Sequence, residues 1–262
     1  MSRINTKPRL SKKEINLIRK LAVEGKSLNY ISIKTGIKKT TVYYWFVKFV
    51  NKKTQKLKID ASDEFRVGEF VGAFAGDGNF SFRKRYYHYK IRFFTALYEE
   101  AYAIYLQNLI LELFGKKASL NKRKSVIVTT VYGKPIIEFL RKYVTWIGKK
   151  TYSISLKSDL SEYSNDFLRG FVRGLFDTDG CVNKNKLQLI YGSVSRKLTD
   201  QVSEILEILV LSHSYSVLRG KGKRRDFNYI QMYGRDNIKK FSNIVGFGNS
   251  IKKAKLENLL RQ

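Results

Sequence analysis

Two aspartates stand at the end of near-identical phrases. Asp77 closes the run FVGAFAGDG and Asp179 closes VRGLFDTDG. Each run is apolar, rich in small residues and of helical length, and each leads into a strand-like segment. An aspartate at a helix C-terminus is disfavoured, because the aligned peptide dipoles leave partial negative charge there. Two such ends brought together repel. A divalent cation reverses the sign: Mg²⁺ takes few carboxylates and completes its shell with water and substrate phosphate oxygens. Asp-Gly taken singly is a common turn dipeptide. Its recurrence at matching places in a duplicated chain points instead to metal-assisted chemistry at a phosphate.

The elements that must position these acids follow from spacing. Gly72 and Gly76 lie four apart, as do Gly170 and Gly174. Small residues at that spacing form one helical face and let two backbones approach closely. The two helices are therefore expected to cross as the interface between halves and to set Asp77 beside Asp179. Around them the pattern repeats. A helix near 63–77 precedes the hairpin NFSFRKRYYHYKIRFFTA, a helix at 99–114, the hairpin ASLNKRKSVIVTTVY and a helix near 134–145. A helix near 164–179 precedes CVNKNKLQLIYGS, a helix at 195–211, SYSVLRGKGKRRDFNYIQMY and a helix near 235–245. Each pass reads αββαββα, the mark of an internal duplication. The predicted fold class is α+β: two pseudo-twofold halves, 63–155 and 156–262, with antiparallel saddles.

Residues 1–50 read as a small all-α domain. Ser11 with Glu14 makes a capping box, and Ile15, Ile18, Leu21 and Ala22 form the first stripe. A short helix with Leu28, Ile31 and Ile33 ends at Gly36. A third helix turns Val42, Trp45, Phe46 and Phe49 inward. This is a helix-turn-helix pattern, which would offer Lys38, Lys39, Thr40, Thr41, Tyr43 and Tyr44 to a DNA major groove. The polar stretch 51–62 reads as a linker, with Ser62 and Asp63 as caps for the next helix.

Composition narrows the partner. The 262 residues carry 51 Lys plus Arg against 22 acids, a formal net charge of +29. Such self-repulsion calls for a polyanion, and nucleic acid leads. Hydrophobic content of 43% supports folded cores. No apolar run nears the ~20 residues that span a bilayer, and MSRINTKPRL has no secretory apolar region, so an intracellular protein is expected. One cysteine leaves no internal disulfide and no cysteine-based zinc site. Cys181 is read as a small packed residue, and His88 and His213 as structural.

The paired phrases resemble the two motifs of single-chain LAGLIDADG homing endonucleases, and the resemblance extends over about residues 63–262. It implies β saddles lying in the DNA major groove, cleavage across the minor groove, action as a monomer, and Mg²⁺ or another divalent cation held by the last acid of each motif, Asp77 and Asp179. Ala75 departs from the acid that stands at Asp177 in the second copy. The resemblance also implies a basic residue near each half's end. In WIGKKTYS and FGNSIKKAKL, Lys150 and Lys253 are the expected pair, with Lys149 and Lys252 as rivals. The implied activity is hydrolysis of both strands of double-stranded DNA at a long site.

Strand alternation supplies the expected reading surface: Ser81, Arg83, Arg85, Lys90 and Arg92 in the first half; Lys186, Gln188, Arg219, Lys221, Lys223, Arg224, Arg225 and Asn228 in the second. Two other readings share the scaffold: a maturase that binds intron RNA, and a non-cleaving DNA-binding regulator. Paired acids beside a phosphate backbone weigh against the regulator. The ending LENLLRQ has no His-Asn splice pair, so the expectation is an intron-encoded or free-standing protein of a mobile element.

Overall fold

The computed structural model describes residues 10–50, 57–83, 88–183, 186–222 and 224–261. Arg85 and Lys223 lie outside the described residues, as do the side chains of Arg83 and His88 and residues 51–56 of the expected linker. The chain divides into two compact units, 1–56 and 57–262.

The first unit is a three-helix cluster: α1 Lys12–Val23, α2 Leu28–Thr35 and α3 Lys39–Val50. The expected capping box forms, with Glu14 N–H donating to Ser11 Oγ at 3.2 Å and Ser11 N–H donating to the Glu14 carboxylate at 2.7 Å. Gly36 ends α2 in the left-handed region at φ 66°, where an L side chain is costly. Ile18, Leu21, Ala22, Ile31, Val42 and Phe46 make the core. Ile33, apolar in the same helix, stays outside the core: it is 83% exposed, because it sits two residues from Ile31, across the helix. Lys38, Lys39, Thr40, Tyr43 and Tyr44 are exposed and Thr41 is half-buried.

The second unit runs α4 Glu64–Ala75, β1 Asn79–Arg83, β2 His88–Ala96, α5 Glu100–Phe114, β3 Ser119–Lys122, β4 Val126–Tyr132, α6 Lys134–Tyr143, β5 Val144–Thr145, α7 Lys150–Ser153, β6 Ser155–Leu156, α8 Asn165–Asp179, β7 Cys181–Asn183, β8 Gln188–Ser193, α9 Arg196–Ile208, β9 Ser214–Leu218, β10 Phe227–Tyr233, α10 Arg235–Ile244 and α11 Ser250–Arg261. Two antiparallel sheets have matching orders, β1-β2-β4-β3 and β7-β8-β10-β9. The fold is α+β, as the repeat predicts. Residues 57–62, expected in the linker, belong to this unit: Leu57 packs on its core and Asp60 N–H donates to Leu113 O at 2.8 Å. The expected boundary at 155/156 falls inside β6, which pairs with β5. Among the described residues no helix is long and apolar enough to cross a membrane.

Helices α4 and α8 form the dominant helix–helix contact. Their glycines face each other's backbone. A Cβ on Gly72 would overlap the carbonyl of Phe171, and one on Gly170 would overlap that of Phe65; Gly174 meets Glu69 O in the same way. Gly68, four residues before Gly72, extends the series against Phe167 O, and Gly76 is matched by Thr178. Helix propensity alone says that Gly→Ala in a helix interior stabilises by roughly 1 kcal/mol. Here the added methyl must force two backbones apart. Gly72→Ala and Gly170→Ala should each destabilise by about 1–3 kcal/mol, read as a lower urea midpoint; a higher midpoint would contradict the close contact.

Candidate active site

The close approach of α4 and α8 brings their C-terminal ends together. A Cβ on Gly76 would lie 2.8 Å from Asp179 Oδ2. Asp77 follows α4 by two residues and Asp179 is the last residue of α8. Both line one cleft of about 780 Å³, to which β1 contributes Asn79 and Phe80 and β8 contributes Gly192 and Ser193.

Two lysines resolve the electrostatic problem posed by acids at helix C-termini. Lys150, at the start of α7, donates from Nζ to the carbonyls of Phe74, Ala75 and Gly76 at 2.8, 2.7 and 2.8 Å. Lys252, in the first turn of α11, donates to Phe176 O and Thr178 O at 2.9 and 3.0 Å. Each ammonium satisfies carbonyls that a helix end leaves unpaired and offsets the negative pole. Lys150 was expected. Its expected partner, Lys253, is exposed, and Lys252 takes the equivalent place. One constant step could have found it (179 − 77 = 252 − 150 = 102). Lys149 is exposed, with Nζ 5.8 Å from the Tyr152 ring.

The four groups perturb one another. Loss of hydration is the largest effect on each. It raises Asp77, against the pull of Lys252 and Lys150. It raises Asp179 to about 6, helped by the negative charge of Asp77. It lowers Lys150 to about 8, although Asp179 and Asp77 favour its charged form. Lys252 is lowered for the same reason. Both carboxylates keep an open face toward the cleft.

Beneath them lies a second acidic pair. Glu69 is 1% exposed and accepts from Tyr105 Oη at 2.6 Å and Arg66 Nη1 at 3.1 Å. Burial still raises its carboxyl above the usual range, and burial together with the Glu69 charge raises the Tyr105 phenol. Asp177, 2% exposed, accepts the backbone amides of Gly248 at 3.0 Å and Asn249 at 2.9 Å. Burial pushes it up to about 7 despite those amides.

The expected reading surface is partly corrected. In the first sheet Ile91 and Phe93 are buried and Lys90 and Arg92 turn to the other face, with Ser81 opposite Lys90 and Asn79 opposite Arg92. Arg92 donates to Asn79 Oδ1 at 2.8 Å. The register adds Thr130, opposite Arg92, which sequence reasoning missed. In the second sheet Asn228 is buried on the side of Ile230 and Met232, where it accepts from Tyr215 Oη at 3.2 Å. The alternation there runs opposite to expectation: Tyr229 and Gln231 hold the outward positions, flanking buried Ile230. Gln188 is also buried, held by Asn183 and Tyr233. Lys186, Lys221 and Arg224 are exposed. Arg219 pairs with Asp226 at 2.6 Å, and Arg225 lies 4.1 Å over the Tyr152 ring. Cys181, expected to be packed, is exposed. His213 is structural as expected, tied to Ser203 Oγ at 2.6 Å and Leu211 O at 3.1 Å.

Residues 166–246 match the model of an LAGLIDADG-like domain. The fold is that of the homing endonuclease I-DmoI. Its complex with DNA and Ca aligns at a TM-score of 0.54 and 18% identity, over 74% of this chain and 98% of the other. Its complex with DNA and Mn aligns at 0.51 and 17%, over 70% and 97%. An uncharacterised protein of Methanocaldococcus jannaschii is 22% identical over 94% of this chain and 92% of its own length. A probable translation initiation factor IF-2 of the same organism is 26% identical over 58% of this chain, a stretch that is 14% of that protein.

The raised acids set a pH dependence of stability. Free aspartate titrates near 3.9, so the charge on Asp179, with its folded value of about 6, weighs fully against folding above about pH 7 and not at all below about pH 3. Asp179→Asn should therefore raise the melting temperature at neutral pH, with the gain shrinking to nothing as pH falls toward about 3. A gain independent of pH in thermal scans would refute this electrostatic account.

Proposed function

We propose that this chain is a site-specific, divalent-metal-dependent endonuclease that cuts both strands of DNA, with Asp77 and Asp179 as the metal-holding pair and Lys150 and Lys252 each serving one strand. The observation that carries the reading is the convergence of two repelling carboxylates and desolvated Lys150 in one cleft lined by both sheets, with desolvated Lys252 against the end of α8. The residues fit a hard divalent cation. Asp77 and Asp179 offer oxygen donors, and among the described residues no group of three or more acids, histidines or cysteines builds a protein-only cage, so water and phosphate would complete the shell. When bound, the cation supplies Lewis-acid activation of water and stabilises the leaving 3′ oxygen.

The chain's own residues do the rest. Asp77 and Asp179 hold the cation. Lys150 and Lys252 place ammonium charge where negative charge grows on the phosphate, and the lowered pKa of Lys150 lets Nζ hold or release a proton near neutrality. Lys90, Arg92 and Arg224 track phosphates or base edges. The three-helix unit, with Lys38, Lys39, Tyr43 and Tyr44 exposed, extends the footprint as a helix-turn-helix. That stretches 25–26% identical to this chain lie within proteins of unrelated name, each covering 14% of that protein's length, supports a module spread by a mobile element.

Selection from a randomised duplex library with and without Mg²⁺ tests the reading. Expected is a double-strand cut at one sequence, abolished by Asp77→Asn or Asp179→Asn with binding retained. Lys150→Met and Lys252→Met should each slow cleavage by about 10²–10³, and Lys253→Met should not. Cutting that survives Asp179→Asn would sink the proposal; selective binding of structured RNA alone would support the maturase. The fragment 57–262 should cut with weakened binding, and unchanged affinity would remove the DNA role given to the first unit.

A further inference from the structure

The two lysines reach equivalent places by unlike routes. On α8, Arg169, Arg173 and Asp177 lie four residues apart on one helical face. Together they grip the backbone of 244–249. Arg169 Nε donates to Ile244 O at 2.8 Å, and Arg173 Nε donates to Val245 O at 2.8 Å. Asp177 accepts from Gly248 and Asn249 N–H at 3.0 and 2.9 Å. Asn249 is fully buried and in turn caps α11: its Oδ1 accepts from Ile251 N–H at 3.1 Å, and its carbonyl accepts from Lys253 N–H at 2.9 Å. That cap sets the first turn of α11, from which Lys252 returns to the end of α8.

The first half has no such grip. One repeat earlier, the three clamp positions are Val67, Val71 and Ala75, all buried and apolar. There the segment before Lys150 is held by its own turn. Ser153 Oγ accepts from Ile147 N–H at 2.9 Å and donates to Ile147 O at 2.6 Å.

We infer that Asp177 is the positioning residue for Lys252, and that the two half-sites rely on different anchors, Asp177 in one and Ser153 in the other. The inference rests on the nuclease reading for its consequence: each anchor governs the cutting of one strand. A carboxylate holding two backbone amides is worth at least about tenfold in the fraction of well-placed lysine.

The test uses the full chain and its selected DNA site, with each strand labelled separately. Lys150→Met and Lys252→Met first assign a strand to each lysine. Asp177→Asn should then slow the Lys252 strand by about tenfold or more and leave the other strand within about twofold, so that nicked DNA accumulates. Ser153→Ala should nick with the opposite polarity. Equal slowing of both strands, or the same polarity from both variants, would overturn the inference. Amide hydrogen exchange separates this outcome from failure of the nuclease reading. In Asp177→Asn, exchange across 248–253 should rise about tenfold while 147–153 stays as in wild type. If no DNA is cut, that result retains the anchoring role and discards its strand assignment; unchanged exchange at 248–253 would discard both.

Discussion

Everything in the larger unit depends on how closely α4 and α8 approach. Their backbones touch at Gly68, Gly72, Gly170 and Gly174, where even a methyl group would collide with a carbonyl. No side chain can adjust there, so the crossing is fixed by backbone geometry rather than by packing that could repack. Asp77 and Asp179 are consequently held at one place on the cleft floor, and the two sheets are held about it. The proposed cutting of two strands across a groove needs this kind of rigid spacing.

The same contact creates an electrostatic conflict. Two helix C-termini and two carboxylates converge, with Glu69 and Asp177 buried nearby. Lys150 and Lys252 relieve the helix poles, yet both are desolvated enough to fall in pKa. Charges disfavoured in the free protein are poised to interact with something charged that enters: cations at the acids, phosphates at the lysines. The overall charge of +29 acts in the same direction. In the proposed reaction the free protein is strained electrostatically and the bound complex is not.

Duplication has kept the frame and changed the fittings. Sheet order, the acids and the lysines repeat with one step. Around them Gly76 faces Thr178, Ala75 stands where Asp177 stands, and Val67 and Val71 replace Arg169 and Arg173. A single chain can differentiate its halves in this way, whereas a symmetric dimer of one half could not.

The sequence by itself determined the repeat, the order of elements and the two aspartates, because each leaves a local signature: periodicity, turn residues and a phrase stated twice. It also determined the capping box at Ser11 and the close contact of the glycine-spaced helices. Tertiary structure alone decided which lysine returns to the helix end. Lys252 and Lys253 are neighbours in the same charge run, and the inward turn of Lys252 follows a cap at Asn249 that is held by Asp177 and Glu99, 72 and 150 residues away. The orientation of Asn228 and Gln188 was likewise open, since a strand's parity follows from which neighbours cover it. Local chemistry is written along the chain; the choice between adjacent residues of like chemistry is made by contacts that only folding brings together.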